Sequence, residues 1–185
     1  LNLLVIKYKS FNLSLNPNIT DLRAFQWLNY HNDQKKISFK LRYTGIINLN
    51  NYSNFEDYLS SIRSVRRQEY KKNIKNKITI LESKNIADFL RLYELTFERQ
   101  GIKVKSDDLV LMSKTYETLL QLNQAKLTYA INENKSIVSG MIVYAYNDTM
   151  YYQYGATDPE YRNTGASVLI MLNNIKKGIE NGFKQ

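Results

Sequence analysis

The spacing of apolar residues predicts a long helix near the middle of the chain. This helix begins after Asn54, which with Asp57 three positions later fits an N-cap, and it continues to Lys75. Its apolar positions are Phe55, Tyr58, Leu59, Ile62 and Val65. Its second half is basic. Side chains four residues apart share one side of a helix, so the cations of this half form a stripe. The basic positions on that side are Arg63, Arg67, Lys71 and Lys75.

The same period predicts three more helices. One follows Asn85 and ends before Gly101, one is capped by Ser106, and one follows Ser167. Apolar β-rich runs predict strands at 127–131, 137–146 and 150–154, and a shorter strand at 78–81. Residues 137–146 are apolar on both faces of the predicted strand, so we expect layers on both sides of the sheet.

The first quarter of the chain has a weaker pattern. Residues 3–14 alternate loosely and predict a strand, Pro17 and Asn18 mark a turn, and residues 37–49 look extended. The whole order is strand, helix, strand, helix, helix, three strands, loop and helix. It indicates an α+β fold, with one mostly antiparallel sheet and helices on both faces. We expect residues 1–50 to be a strand-containing lead-in that ends a preceding subdomain, and residues 51–185 to form the main domain.

Composition excludes several kinds of site. The chain has 185 residues, no Cys and one His, which excludes disulfides, thiolate metal sites, a Cys nucleophile and sites with two imidazoles. With 26 Lys and Arg against 17 Asp and Glu, the net charge of +9 fits nucleic acid, an anionic membrane surface or a phosphorylated small molecule. The alternative is that it reflects only an AT-rich coding sequence, which would enrich Lys together with the abundant Asn, Ile and Tyr. No apolar run approaches the roughly 18 residues of a membrane span. The start at Leu1, without a signal peptide, indicates an internal fragment of a longer soluble protein.

The junction between the last predicted strand and the last predicted helix has the clearest chemistry. The first turn of a helix carries unpaired backbone N–H groups and the positive end of the dipole. Arg162 adds a forked cation there, and the small residues Gly165, Ala166 and Ser167 let an anion approach the backbone. These residues predict a phosphate site that follows neither the P-loop nor the Rossmann glycine pattern. Ordinary helix capping is the alternative explanation.

The run Pro-Glu-Tyr-Arg-Asn-Thr-Gly-Ala-Ser at 159–167 resembles the acyl-CoA-binding loop of GNAT-fold N-acyltransferases. That motif reads Gln/Arg-x-x-Gly-x-Gly/Ala. Arg162, Gly165 and Ser167 take its three positions, so the last is relaxed to Ser. The three strands, the loop and the helix also follow the GNAT order.

A closer resemblance covers residues 64–185. The basic run at 64–72, the residues Leu-Tyr-Glu-Leu-Thr-Phe at 92–97 with Arg-Gln-Gly at 99–101, and the three strands are similar to the FemAB-like branch of that fold. This branch includes bacterial peptidoglycan aminoacyltransferases and related acetyltransferase-like proteins. Residues 43–49 look like the strand that precedes the basic helix there. The resemblance also implies that the closing strands of the fold are missing at the C-terminus.

The resemblance implies an enzyme that transfers an acyl or aminoacyl group from acyl-CoA (acetyl-CoA) or aminoacyl-tRNA to an amine of a cell-envelope or polysaccharide precursor. No metal is implied, and the location is the cytoplasm or the inner face of the membrane. The donor would lie where strands 138–146 and 150–154 end and splay, with its arm on the strand edge at 154–157. Donor phosphates would be held by Arg162, Asn163, Thr164, Gly165, Ala166 and Ser167. The candidate substrate-binding residues are Arg66, Arg67, Tyr152 and Tyr154. The two arginines of the basic helix would hold phosphates of the acceptor or of a donor tRNA, since forked guanidinium groups suit phosphate; the alternative is that this helix face is only solvated.

No catalytic acid or base is assigned. Glu133 lies in a predicted hairpin turn, Asp158 and Glu160 are expected to be solvated, and alternate tyrosines on a strand are more often core residues. Two other functions are open. The basic helix would suit a nucleic-acid-binding module, whose affinity would fall steeply with salt. The domain would also suit a non-catalytic GNAT-like half of a larger protein that serves as a docking platform.

Overall fold

The computed structural model of the chain describes residues 2–16, 19–31, 33–34 and 36–185. The chain divides into two compact units, Leu1–Ile46 and Ile47–Gln185. The N-terminal unit contains two short helices, α1 (Asn2–Lys7) and α2 (Arg23–Gln26).

The strand predicted at 3–14 is therefore wrong, and residues 36–48 form no strand either. A loosely alternating segment needs a partner strand for its backbone groups, and neither segment pairs with the sheet that the structure describes. The predicted turn at Pro17 and Asn18 lies outside the described residues.

A four-stranded antiparallel sheet forms the centre of the C-terminal unit. Its strands are β1 (Thr79–Ser83), β2 (Ala125–Ile131), β3 (Ile137–Tyr146) and β4 (Thr149–Thr157), and they lie side by side in chain order. All four strands predicted after residue 77 are confirmed. β4 extends beyond its predicted end, to the residues that precede the predicted phosphate loop.

Five helices belong to this unit: α3 (Phe55–Ser61), α4 (Ser64–Lys75), α5 (Ala87–Glu98), α6 (Ser106–Gln121) and α7 (Ala166–Glu180). Two 3-10 helices, Leu49–Asn51 and Pro159–Thr164, precede α3 and α7. The N-cap at Asn54 is confirmed, since its side chain accepts a 2.9 Å hydrogen bond from the Asp57 N–H. Ser106 is not a cap. It is the first helical residue, and Lys105 occupies the N-cap position.

The single long helix predicted from Asn54 is wrong, because the chain is extended at Ile62, between α3 and α4. The hydroxyl groups of Ser60 and Ser61 bond back to carbonyl oxygens in α3, which competes with helix continuation. The Arg67 guanidinium, from α4, donates to the carbonyl oxygens of Ser60, at 2.7 Å, and Ile62. These bonds satisfy the end of α3 and hold the bend.

Helices cover both faces of the sheet, as predicted. On one face α5 and α6 pack with β2, β3 and β4, in a core that contains Phe89, Leu92, Tyr116, Tyr129 and Ile142. On the other face the core is formed mainly by α7 and the strands, with Val138, Met141, Val143, Leu169 and Ile170. The far side of α7 is covered by α3 and the first 3-10 helix. The expected α+β architecture is confirmed, and it holds the start of α7 next to the end of β4.

Candidate functional site

The predicted phosphate loop connects β4 to α7. Asp158 begins the 3-10 helix Pro159–Thr164, accepting a 3.0 Å hydrogen bond from the Glu160 N–H. Gly165 then reverses the chain with φ +75°, a left-handed conformation that glycine adopts at little cost, and α7 starts at Ala166. The chain between strand and helix is thus compact, and the 3-10 helix within it was not predicted.

Some backbone N–H groups of this loop have hydrogen-bond acceptors and others do not. The Thr164 hydroxyl accepts a 3.2 Å hydrogen bond from the Ala166 N–H, and the Val168 N–H bonds to the Gly165 carbonyl. No described residue accepts a hydrogen bond from the N–H of Gly165 or of Ser167. Both donors belong to the N-cap and first turn of α7, at the positive end of the helix dipole, and have no partner among the described residues, so they are available to an anion.

The side chains of the six predicted loop residues differ in exposure. Arg162, Asn163 and Ser167 are exposed, whereas Ala166 is 1% exposed and packs in the core beneath the loop. The Thr164 hydroxyl also donates to the Tyr161 carbonyl at 2.6 Å, so it is used locally. The exposed surface of the loop therefore offers one guanidinium, one amide and one hydroxyl around the free N–H groups.

Helix α4 lies directly against this loop, a contact that the sequence did not predict. A β-carbon on Gly165 would lie 3.3 Å from Asn73 Nδ2 and 3.3 Å from Glu69 Cβ. Asn73 is fully buried and donates from Nδ2 to the Glu69 carbonyl at 2.7 Å. Glu69 also pairs with Arg66 at 2.7 Å. The basic helix and the phosphate loop, predicted as separate sites, are thus adjacent through Glu69.

The predicted basic side of α4 is not continuous. Arg67 turns toward the carbonyl oxygens at the end of α3, so its guanidinium has a structural role. Arg63, Lys71 and Lys75 are exposed, and no carboxylate of a described residue lies within 4.0 Å of them. These three cations can accept an anionic partner without breaking an ion pair.

The two predicted substrate tyrosines lie on opposite faces of the sheet. Tyr152 pairs with Val143, and Tyr154 pairs with Ile142, so a bulge at Gln153 inserts one extra residue between them. Because directly opposed residues point to the same side, Tyr152 lies on the α7 face and Tyr154 on the α5 face.

Tyr154 belongs to an aromatic cluster on that α5 face. Its ring meets Tyr93 edge-on at 5.9 Å and Tyr144 at 6.5 Å, which supports the core interpretation of this tyrosine. The Tyr144 hydroxyl is buried without a partner among the described residues, and burial raises the pKa of Tyr144 to about 12.

Tyr152 has a different environment. It is 55% exposed, and its hydroxyl lies over Gly155, where a β-carbon would overlap it. Partial burial raises the pKa of the Tyr152 phenol, so the phenol is protonated at neutral pH and can donate a hydrogen bond. The two tyrosines therefore do not form one site, and only Tyr152 is accessible beside the edge of β4.

The predicted splay between the last two strands is wrong, because β3 and β4 remain paired from Ser139 and Thr157 to Tyr146 and Thr149. Within the described sheet, no strand lies beside the outer edge of β4. At the start of β4 the Met150 N–H donates to the Gln185 carbonyl at 2.7 Å, so the free part of this edge is its second half. At its end the Thr96 hydroxyl accepts from the Thr157 N–H at 3.1 Å and lies 3.2 Å from the Thr157 carbonyl. By alternation Gly155, two residues earlier, also directs its N–H and C=O outward.

The other acidic candidates have local partners. Glu133 pairs with Lys77 at 2.9 Å beside the β2–β3 turn, and Asp158 caps the 3-10 helix. In the part of the chain that the structure describes, no group of three or more acidic or His side chains could hold a metal ion. None of the described helices combines the length and the apolar character needed to cross a membrane.

Residues 60–185 match a family model described as an acetyltransferase (GNAT) domain. The chain belongs to the GNAT acetyltransferase family. The match begins at the end of α3 and includes α4, the sheet and the phosphate loop. No curated protein matches the sequence.

Solved structures show the same fold. A crystal structure of FemX superposes on 74% of the GNAT chain with a TM-score of 0.65 at 15% identity. The structure of L-PGS from Bacillus licheniformis covers 75% of the chain with a TM-score of 0.50 at 12% identity. These folds agree with the FemAB-like branch. The chain spans 50% of the length of FemX and 41% of that of L-PGS.

Proposed function

We propose that this GNAT domain transfers an acyl or aminoacyl group from acyl-CoA or aminoacyl-tRNA to an amine of a cell-envelope or polysaccharide precursor. One observation carries the proposal. The free N–H groups of Gly165 and Ser167 lie at the positive end of α7, beside the exposed Arg162 and directly after the unpaired edge of β4. Both donor types carry phosphate, which suits such a cluster of donors.

The edge of β4 would bind the extended part of the donor. Gly155 directs its backbone N–H and C=O outward, and an amide-bearing arm can pair with them as an added strand does. Thr96 occupies the same groups of Thr157, so this pairing would end there. In this arrangement the phosphates lie at the loop and the acyl carbonyl lies farther back along β4, near Tyr152.

The transfer itself needs few protein groups. The acceptor amine attacks the acyl carbonyl, a C–N bond forms and the bond to sulfur, or to the ribose oxygen of a tRNA, breaks. Most of the rate gain comes from orientation and from polarisation of the carbonyl. Tyr152, protonated and accessible beside Gly155, would give a proton to the leaving group. We assign no base for the amine.

The choice of partners rests on α4 and on the related folds. Arg66, paired with Glu69 next to the loop, would contact the acceptor or the donor phosphates. The exposed Arg63, Lys71 and Lys75 would extend this surface toward a larger anion such as tRNA. The resemblance of residues 64–185 to FemAB-like proteins motivates a cell-envelope acceptor, and the proposed location is the cytoplasm or the inner face of the membrane.

Titration with acetyl-CoA by calorimetry tests the donor site. Ser167→Glu places a negative charge at the free N–H groups and suits a helix N-terminus, so the fold should be retained. We expect this change to weaken acetyl-CoA binding at least tenfold. Ser106→Glu, in the exposed first turn of α6, is the matched control and should bind as the wild type does.

Several results would change the assignment. Equal acetyl-CoA binding by wild type and Ser167→Glu would contradict the proposed donor site. Donor binding without transfer to any amine would favour the docking half-domain. A third result would be tRNA binding that salt weakens steeply, without any acetyl-CoA binding. If the aminoacyl group is then transferred, this result would favour an aminoacyl-tRNA donor. If no transfer occurs, it would favour a nucleic-acid-binding module.

A further inference from the structure

The N-terminal unit, Leu1–Ile46, carries many apolar side chains but has no hydrophobic core. None of its side chains whose exposure the structure describes is buried, and the buried apolar clusters of the described chain all lie in the C-terminal unit. Apolar side chains that lack a core of their own gain free energy when another apolar surface covers them. The most exposed large apolar residues of the N-terminal unit are Leu3, Ile6, Trp27, Tyr30, Leu41 and Tyr43.

The N-terminal unit also carries more than half of the net positive charge. Residues 1–46 contain seven Lys or Arg against two Asp, a net charge of +5, whereas the whole chain of 185 residues has +9. Asp21 pairs with Arg23 at 2.6 Å. Other cations of this unit are exposed, and no carboxylate of a described residue lies within 4.0 Å of Lys9, Lys36, Lys40 or Arg42. These cations can meet an anionic partner without loss of an ion pair.

Cations and apolar residues alternate in one short segment of this unit. Its sequence is Phe-Lys-Leu-Arg-Tyr at 39–43, and all five side chains are exposed. Helix α1 has a similar combination, because Leu3 and Ile6 are three residues apart and share one side of the helix, with Lys7 next to Ile6. Each segment therefore presents apolar surface together with positive charge.

Three kinds of partner fit this combination to different degrees. A second copy of the chain is disfavoured, because two units with a charge of +5 repel each other. Single-stranded nucleic acid contacts cations and stacks on aromatic rings, but it gains little from aliphatic side chains such as Leu3, Ile6 and Leu41. An anionic bilayer offers phosphates to the cations, a headgroup region to Trp and Tyr, and acyl chains to Leu and Ile. The bilayer is therefore the partner that uses all the exposed groups.

We propose that the N-terminal unit binds the surface of an anionic phospholipid bilayer. Lys40 and Arg42 contact lipid phosphates, Trp27 and Tyr43 lie at the level of the headgroups, and Leu41 contacts the start of the acyl chains. Such binding is peripheral, since the apolar side chains enter only the outer part of the bilayer. The inference does not rest on the proposed transfer reaction, because it uses only residues 1–46.

Trp27 makes this binding directly measurable, because it is the only tryptophan of the chain and is 65% exposed. The 185-residue chain is titrated with vesicles of equimolar phosphatidylcholine and phosphatidylglycerol, or with vesicles of pure phosphatidylcholine. With the anionic vesicles we expect a blue shift of Trp27 emission, quenching by brominated lipid and co-sedimentation of the chain. Affinity for pure phosphatidylcholine should be at least about tenfold lower, and added salt should weaken binding to the anionic vesicles.

Paired charge variants connect the binding to the segment 39–43. Lys40→Glu combined with Arg42→Glu should weaken binding to the anionic vesicles at least about tenfold, because two attractive charges become repulsive. Lys103→Glu combined with Lys105→Glu is the matched control, since these exposed lysines of the C-terminal unit have the same spacing. The control should change vesicle binding little.

Leu41→Ser tests the apolar contribution. It should weaken binding to the anionic vesicles about fivefold or more, because the leucine side chain is no longer removed from water on binding. Leu111→Ser is the matched control, at an exposed position of α6, and should bind the vesicles as the wild type does. Both leucines are exposed, so the fold should be retained in both variants.

Several results would overturn the proposal. One is the absence of binding to the anionic vesicles. Co-sedimentation with unchanged Trp27 emission, or equal losses in the two pairs of charge variants, would place the lipid contact elsewhere in the chain. Binding of tRNA that shifts Trp27 emission, without vesicle binding, would identify a nucleic-acid surface instead.

Acetyl-CoA titration separates this proposal from the proposed donor site. The variant with Lys40→Glu and Arg42→Glu should bind acetyl-CoA as the wild type does, since neither residue belongs to the C-terminal unit. Loss of vesicle binding with normal acetyl-CoA binding would therefore support the lipid contact. Loss of both in this variant would show that the substitutions disturb the whole chain, and it would contradict a binding role confined to the N-terminal unit.

Discussion

Gly165 lies against Glu69, so that a β-carbon on the glycine would be 3.3 Å from the Glu69 Cβ. This distance is short for a side-chain contact and leaves no room for a larger residue. The same glycine has φ +75°. One residue therefore turns the chain into α7 and lets α4 pack on the loop, which places Glu69, the ion-pair partner of Arg66, against Gly165.

Replacement of this glycine should damage both features. Gly165→Ala should lower the free energy of unfolding by more than the roughly 1–2 kcal/mol of a left-handed alanine, because Glu69 or Asn73 must also move. Gly101→Ala is the matched control, since Gly101 has φ +71° and nothing within 4 Å of its β-carbon position. Urea unfolding measures both variants. Equal losses would show that the contact with α4 is not tight.

Arg66 and Arg67 should separate binding from stability. Arg67→Met removes the donor that bridges α3 and α4, and should cost about 1–2 kcal/mol in urea unfolding with little effect on acetyl-CoA affinity. Arg66→Gln removes an exposed ion pair and should change stability by at most about 1 kcal/mol.

For Arg66→Gln we expect weaker acetyl-CoA binding by calorimetry, since it removes a cation beside the loop. The opposite result would be loss of acetyl-CoA binding in Arg67→Met and normal binding in Arg66→Gln. It would show that Arg67 contacts the donor and would contradict its proposed role of bridging α3 and α4.

Tyr152 should affect turnover rather than binding. Tyr152→Phe keeps the ring over Gly155 and removes only the hydroxyl, so kcat for acyl transfer should fall by about 10²-fold while KM for the donor changes little. Tyr151→Phe, the neighbouring partly exposed tyrosine of β4, should have normal kcat. A normal rate for Tyr152→Phe would remove this residue from proton transfer.

The sheet was predictable because its signals are local. The bounds of β3 follow from an apolar run that ends at the turn residues Asn147 and Asp148, and no distant contact is needed. The α3–α4 break was not predictable, since Val65 continues the helical period of Ile62 although it is 58% exposed. The bend depends on hydrogen bonds from Arg67 that no spacing of apolar residues records.

The candidate site was predictable only in part, because some of its contacts join residues that are distant in the chain. Arg162, Gly165 and Ser167 form a short motif, so the sequence locates the loop. The contact of α4 with Gly165 is tertiary, and Thr96 reaches Thr157 across 61 residues of chain. The bulge at Gln153 leaves no mark in the alternation of tyrosines, so Tyr152 and Tyr154 are predicted together and lie apart.

The ion pair between Asp148 and Lys184 should make stability depend on acid. Lys184 Nζ lies 2.8 Å from Asp148 Oδ2, and this hydrogen bond lowers the pKa of the Asp148 carboxyl from its usual 3.8. A carboxyl with a lowered pKa stabilises the fold above its unfolded pKa, and the effect disappears as pH falls through the folded value. The backbone bond from Lys184 N–H to the Asp148 carbonyl, 2.7 Å, holds the two segments together.

Asp148→Asn should therefore destabilise the protein at pH 7, and its difference from wild type should shrink as the pH falls from 3.8 toward 2, through the lowered pKa of the wild-type carboxyl. Urea unfolding midpoints across this pH range measure the difference. Glu94→Gln, an exposed change on α5, should shift neither the midpoint at pH 7 nor its slope below pH 4. A constant difference between Asp148→Asn and wild type from pH 7 to pH 2 would show that the carboxyl charge contributes nothing.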